Sequence, residues 1–420
     1  MADMGNETSP RHPGLGFAGF VMIIACLQAM GAMGVDSMLP NLPAISSTFG
    51  LRSENQRQLV IIVYLMGFGL PQVVYGSLAD RFGRKPLLLA GIGLYVVFSA
   101  VAAFAPSFPL LIAARAIQGM GAAATRSLPA AVVRDCYGGR RMAQVMSLAF
   151  MTFMVVPMAA PSLGQAVALF ASWRWVFGVL TLFGLFVFGF VLLKLPETLH
   201  PEDRTPIRLR PMLHNFAVAL RSRQGMGYAL ATMCISGALF GFVSSVQQVF
   251  QDVFKAPALF PAAFALMAGA MAASALVNSR IVGRIGMRRL AHAGVLAFIA
   301  ISSLHALVAL SGHETMIAFA LLQAGAMFCF GFMSGNFGAM AMEPLGHVAG
   351  AAASMQGTIA MLGGSLIGLV IGQQFNGTAA PIAIGYASCG VLALACILFA
   401  ERGRLFSPHQ GAPGAALEMH

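Results

Sequence analysis

Charge is scarce in this chain. Only 9% of its 420 residues are Asp, Glu, Lys or Arg, against about a quarter in a soluble domain, so no water-facing shell can cover most of the fold. Cysteine is equally sparse: Cys26, Cys136, Cys234, Cys329, Cys389 and Cys396 show no metal or redox spacing and read as small buried hydrophobes. The common catalytic signatures are missing, with no Walker A loop, no H-E-x-x-H and no G-x-S-x-G. One stretch, "GLGFAG" (14–19), satisfies G-x-G-x-x-G but opens an apolar helix with no strand before it, the wrong context for a dinucleotide. These gaps exclude an enzyme reading and imply no cofactor and no metal. What remains is apolar: 58% hydrophobic residues and a mean hydropathy of +0.80 describe an integral membrane protein.

A bilayer core of about 30 Å takes roughly 20 apolar residues of helix. Such runs fall at 15–39, 58–79, 86–105, 108–133, 142–167, 173–195, 225–250, 258–281, 290–311, 315–339, 348–374 and 380–400. The first has no basic n-region or cleavage site and reads as a retained helix. The expected fold is an all-α membrane protein of twelve transmembrane helices in two six-helix halves. With the N-terminus inside, the inner connectors carry 19 Lys and Arg and the outer ones four, which sets both termini in the cytoplasm. The net charge of +11 therefore reports topology, and no nucleic-acid partner is expected. The long charged connector divides the chain into 1–195, a cytoplasmic linker 196–224, a second half 225–400 and a tail 401–420. The halves echo each other: "SLADRFGRK" (77–85) follows helix 2 and "RIVGRIGMR" (280–288) follows helix 8, so that Gly83 matches Gly286. Parallel six-helix repeats flanking a central site are a transporter architecture.

Ionisable groups inside a membrane are costly and mark function. Of the fourteen acids only Asp36 lies plainly within a span; two bases, Arg115 and Arg126, lie in helix 4. Eleven residues overshoot three helical turns by only about 20°, so both Arg share a face, with Gly119 and Ala122 between them. That stripe is expected to line a polar cavity. Asp36 is the candidate proton carrier, with Arg115 as its coupling partner; the competing reading makes Asp36 an interfacial residue near the outer surface. Asp36, Arg126, Tyr64, Gln118, Gln247 and Asn336 are candidate cargo contacts, although interhelical hydrogen bonding accounts equally for the four uncharged ones. His305, a lone membrane histidine, is either a structural hydrogen-bonder or a titrating group.

"GSLADRFGRKPLLL" (76–89) resembles motif A of the major facilitator superfamily, G-x-L-(A/S)-D-R-x-G-R-(K/R). "RAIQGMGAAA" (115–124) resembles motif B, and "VPMAAPSLGQ" (156–165) resembles the antiporter motif C through Pro157, Pro161 and Gly164, departing from it at Ala160 and Gln165. "DSMLPNLP" (36–43) and "VVRDCYGGRRMAQVMS" (132–147) narrow the likeness to the Bcr/CflA-type drug-resistance exporters among the drug:proton antiporters. The resemblance implies alternating access in a bacterial inner membrane, working as a monomer, with a proton as the coupling ion and a small molecule as cargo. It also implies a cytoplasmic gate built from Gly76, Asp80, Arg81, Gly83, Arg84 and Asp135, in which Asp80 faces the start of helix 11. Drug efflux and antibiotic resistance are the expected role; export of an endogenous metabolite such as a siderophore or opine, or proton-linked uptake, are the alternatives.

Overall fold

The computed structural model describes residues 15–204 and 209–406, and among them every regular element is helical. The N-terminal 14 residues, 205–208 of the linker and 407–420 of the tail lie outside the described residues. The helices are α1 (Phe17–Asp36), α2 (Leu42–Phe49), α3 (Leu59–Gly69), α4 (Gln72–Phe82), α5 (Arg84–Ala103), α6 (Phe108–Ser127), α7 (Pro129–Cys136), α8 (Gly139–Phe170) and α9 (Arg174–Lys194). After the linker helix α10 (Leu209–Arg221) come α11 (Arg223–Gln248), α12 (Phe260–Ile285), α13 (Met287–Leu310), α14 (Met316–Met342), α15 (Ala349–Thr358), α16 (Gly364–Gln373) and α17 (Ala380–Ala400).

Among the described residues, eight helical runs are long and apolar enough to cross a membrane. A ninth crossing counts if Glu54–Gly69 and Gln72–Phe82 are one span bent by 45°. The bend falls at Pro71, which has no N–H to continue the ladder. The shortfall from the expected twelve has physical causes. Helix α6 carries two Arg among small residues, and α8 begins with Arg140 and Arg141 and holds Pro157 and Pro161 inside its helix, so neither reads as a continuous apolar rod. One run, Met316–Gln373, extends over 58 residues and is broken where Pro344 and the non-helical Leu345 separate α14 from α15.

Helices α1 to α9 pack mainly on one another, as do α11 to α17. Small residues let them approach closely: a Cβ on Gly67 of α3 would strike the Ala116 carbonyl of α6, and one on Gly119 of α6 would strike the Tyr64 carbonyl. The two groups meet where α8 packs on α12, α4 on α15 and α3 on α16.

The repeat read from the sequence is visible in the backbone. Gly83 (φ 102°, ψ 159°) joins α4 to α5, and Gly286 (φ 93°, ψ 146°) joins α12 to α13. Both sit in a region that side chains avoid, so each glycine permits the same sharp turn at the end of the bundle that carries the linker. We call this the linker end and its opposite the far end.

Candidate functional site

A cavity of about 210 Å³ lies between the two groups of helices. Its walls differ in chemistry. On one side Gln28, Gly31, Ala32, Val35 and Asp36 form a stripe of α1, joined by Tyr64, Leu65 and Phe68 of α3, Thr125 and Arg126 of α6, and Pro157 of α8. On the other side every residue is apolar: Leu239, Phe240, Phe242 and Val243 of α11, Phe264, Ala268, Met271 and Ala272 of α12, Met327 of α14, and Met361.

Asp36 is 6% exposed and faces this cavity from the last turn of α1. Among the described residues no donor is bonded to its carboxylate. The turn that follows is held by α8. The Asn41 side chain donates to the Gly164 carbonyl at 2.9 Å, and a Cβ on Gly164 would strike the Ser37 carbonyl. The antiporter-motif glycine is therefore a close-approach residue beside Asp36, while Pro157 lines the cavity itself. Pro161 lies one turn further along α8.

The two arginines of α6 part company. Arg126 lines the cavity and is solvent-accessible. Arg115 is fully buried and does not line it. Its guanidinium donates to the Val60 carbonyl at 2.9 Å, the Gly34 carbonyl at 2.8 Å and Gln118 Oε1 at 2.7 Å. The Tyr64 ring, 4.2 Å away, lies against it and presents its own surface to the cavity. The expectation that both Arg face the cavity is corrected: backbone carbonyls of α1 and α3 supply the acceptors that solvent was expected to supply. Arg115 thus ties α6 to α1 two residues before Asp36. Gln118 is buried likewise and donates to Ser99 at 2.6 Å. Gln247 is buried outside the cavity wall, and Asn336 donates to Asn278 at 2.9 Å and to the Phe332 carbonyl at 2.8 Å. Of the six proposed cargo contacts, Asp36, Arg126 and Tyr64 line the cavity; Gln118 and Asn336 are engaged in hydrogen bonds among the helices, and Gln247 lies outside the lining with its Oε1 unpartnered among the described residues.

At the linker end Arg84 bonds Asp80 at 2.6 Å and Asp135 at 3.2 Å. Asp80 is thus engaged within its own group of helices. Gly76 approaches Ser354 of α15, and Arg81 is exposed. The sequence reading missed Glu197. Its carboxylate accepts from the backbone N–H of Arg84 (2.9 Å) and Lys85 (3.3 Å), the position at a helix N-terminus where negative charge is favoured. The second group has a charge cluster of its own, made through the Arg288 side chain. Arg288 bonds Glu343 at 2.8 Å and Glu401 at 3.0 Å, and Tyr228 donates to Glu401 at 2.7 Å. The available signal was an acid directly after each final helix, in "LPETL" (195–199) and "FAERG" (399–403).

At the far end, hydrogen bonds cross between the groups. Arg57, held by Glu54 at 3.0 Å, reaches Asp252 at 2.8 Å. Gln58 donates to Gln248 at 2.9 Å, Gln248 donates to Asn55 at 3.0 Å, and Asn55 donates to the Gln373 and Phe375 carbonyls at 3.1 and 3.0 Å.

Two walls from two related groups of helices, with a solitary carboxylate on one of them, are the geometry of a membrane carrier. The family profile of the Major Facilitator Superfamily matches residues 21–369. The chain belongs to this superfamily. It is 30% identical over 367 residues to the "uncharacterized MFS-type transporter YdgK" of Bacillus subtilis, covering 86% of this chain and 90% of that one. To the "bicyclomycin resistance protein homolog" of Haemophilus influenzae it is 28% identical, covering 90% and 95%. To the "multidrug resistance protein MdtL" of Escherichia coli O157:H7 it is 26% identical, covering 93% and 98%. Among solved structures the fold matches the xylose transporter XylE of E. coli in a partially occluded inward-open conformation (TM-score 0.71, 12% identity, 93% and 98% covered). It also matches the human organic anion transporter MFSD10 (TM-score 0.69, 17% identity, 92% and 100% covered). The protein is a superfamily transporter, not an enzyme.

Proposed function

We propose that this transporter exports small amphipathic organic molecules, drugs among them, from a bacterial cytoplasm in exchange for protons. Twelve spans form two halves, 1–195 and 225–400, that rock about the central cavity, with both termini and the linker end in the cytoplasm. The 58-residue run Met316–Gln373 supports the higher span count, since as one straight helix at 1.5 Å per residue it would extend about 87 Å, far beyond one bilayer core. Relatives named for bicyclomycin and multidrug resistance support the export reading.

The observation that carries the proposal is Asp36, a buried carboxylate on the cavity wall with no bonded donor among the described residues. Exchange requires that the deprotonated site favour cargo and the protonated site release it. Ionised Asp36 attracts a cation or a hydrogen-bond donor, while Arg126 on the same wall repels a purely cationic molecule and attracts an acceptor or anion. The wall from the second half offers only Phe, Met and aliphatic surface. Cargo of this site is therefore amphoteric at one end and apolar at the other.

The test is a susceptibility screen in an efflux-deficient host, wild type beside Asp36→Asn. Wild type is expected to protect against zwitterionic amphipathic drugs more than against cationic dyes, and Asp36→Asn to fall to the level of empty vector. Full gradient-driven efflux by Asp36→Asn would overturn proton coupling at this residue. Protection against no compound would transfer the reading to an endogenous metabolite.

A further inference from the structure

The loop between α13 and α14 places a second acid, besides Asp36, inside the protein. Glu314 folds back so that its side chain is 7% exposed, and its Oε1 meets His305 Nε2 at 2.7 Å. The two atoms are within ion-pair distance, although the contact lacks hydrogen-bond alignment. Below them two helix faces meet. Phe298, Ser302 and His305 lie on one stripe of α13, and Phe319, Gln323 and Met327 on one stripe of α14. The stripes are tied at the top by the edge-on rings of His305 and Phe319, 5.3 Å apart. At the bottom Tyr386 of α17 stacks on Phe298 at 5.4 Å and points its hydroxyl at Met327 Sδ, 3.9 Å away. Ser302 and Gln323 occupy the level between, both essentially unexposed. Ser302 Oγ has no partner among the described residues, and the Gln323 amide lies beside the Tyr386 hydroxyl without an aligned hydrogen bond.

Stranding a buried polar atom costs about 1–3 kcal/mol, and native proteins avoid it. Ser302 Oγ and the Gln323 amide, with the Tyr386 hydroxyl beside them, supply the two to four polar partners that a buried water needs, and the column ends at cavity-lining Met327. We propose that Glu314 and His305 form a second proton-binding site, joined to the central cavity by bound water along Ser302, Gln323 and Tyr386. A proton bound by the Glu314 carboxyl removes the charge that attracts the imidazolium form of His305, so proton binding and the contact between the two side chains are linked. The segment whose Phe250 and Phe254 pack on Phe319 carries Asp252, which is engaged by Arg57. Helix α17 presents Tyr386 and Cys389, α14 presents Phe319 and Gln323, and α12 has no titratable residue from Phe260 to Ser279. His313 turns its Nδ1 to the Ser311 carbonyl at 2.8 Å. Among the described residues no Lys or Arg bonds either member.

The test uses the full chain in phosphatidylethanolamine and phosphatidylglycerol vesicles, without cargo, so its result is independent of the export reading. Infrared difference spectra between acid and alkaline pH report carboxyl protonation. A titrating carboxyl band is expected to be lost in Glu314→Gln, retained in Asp36→Asn, and shifted in midpoint in His305→Gln. Glu314→Asp, with thermal unfolding matched to wild type, keeps a band and separates loss of the site from loss of the fold. Hydroxyl-radical footprinting is expected to oxidise Tyr386 in wild type despite its burial, and much less in Gln323→Leu. A spectrum unchanged by Glu314→Gln overturns the proton site; an unoxidised Tyr386 in wild type overturns the water path.

Discussion

The two ends of the bundle hold their charges differently. At the linker end each group of helices closes its own circuit, Arg84 with Asp80 and Asp135 in one and Arg288 with Glu343 and Glu401 in the other. At the far end Arg57, Gln58 and Asn55 reach across to Asp252, Gln248 and Gln373. Bonds within a group make it rigid; bonds between groups fix one arrangement of the two. The far end is therefore where this conformation is locked, and the linker end is where each half is braced to move as a unit.

Substitutions sharpen that contrast, and their expected effects can be ranked. Arg288→Ala removes both ion pairs and leaves Glu401 with the Tyr228 hydroxyl and Glu343 with the Gln224 amide, at sites 13% and 23% exposed. The cost is about 3 kcal/mol, for two lost charge-assisted hydrogen bonds at about 1.5 kcal/mol each, read as a lower unfolding temperature in detergent, with spin-label distances between α2 and α16 unchanged. Gly83→Ala forces a positive φ and drives a methyl group into Glu197, for about 2–3 kcal/mol of stability. Gly286→Ala has the same backbone strain with nothing near the new methyl and is expected to cost about 1 kcal/mol; equal losses in thermal unfolding would refute the role given to Glu197. Asp252→Ala leaves Arg57, 3% exposed, with Glu54 alone. It is expected to shift the equilibrium between arrangements by about 1.5 kcal/mol, roughly tenfold, visible as a longer α2 to α16 distance with little change in unfolding temperature. Gln58→Leu removes one neutral cross-link and is expected to move the same distance distribution by about 0.5–1 kcal/mol.

The sequence carried the scaffold well because scaffold signals are local. The turn residues Gly83 and Gly286 stand in matched loops, and both turn out to have the same unusual backbone. Asp36 stood out through the cost of its surroundings, and it faces the cavity. The misreading of Arg115 has a definite cause. Helical periodicity gives the face on which a side chain leaves, not how far along that face a neighbouring ring intervenes, and Tyr64 intervenes. The far-end bridges were illegible because "SENQRQ" (53–58) looks like any solvated loop, and its partners lie some 190 to 320 positions away in the chain. Glu314 was hidden for a related reason: its position is in a loop, while its side chain is in the protein.

The unequal walls of the cavity have an evolutionary consequence. Under the proposed function, charge recognition and proton chemistry at this cavity reside in the first half of the chain, and the greasy surface that holds the body of the cargo resides in the second. Variation at Phe240, Phe242, Phe264 or Met271 can then change the size and shape of what is carried while leaving the Asp36 chemistry intact, so a lineage can meet new compounds by altering one half of the gene alone.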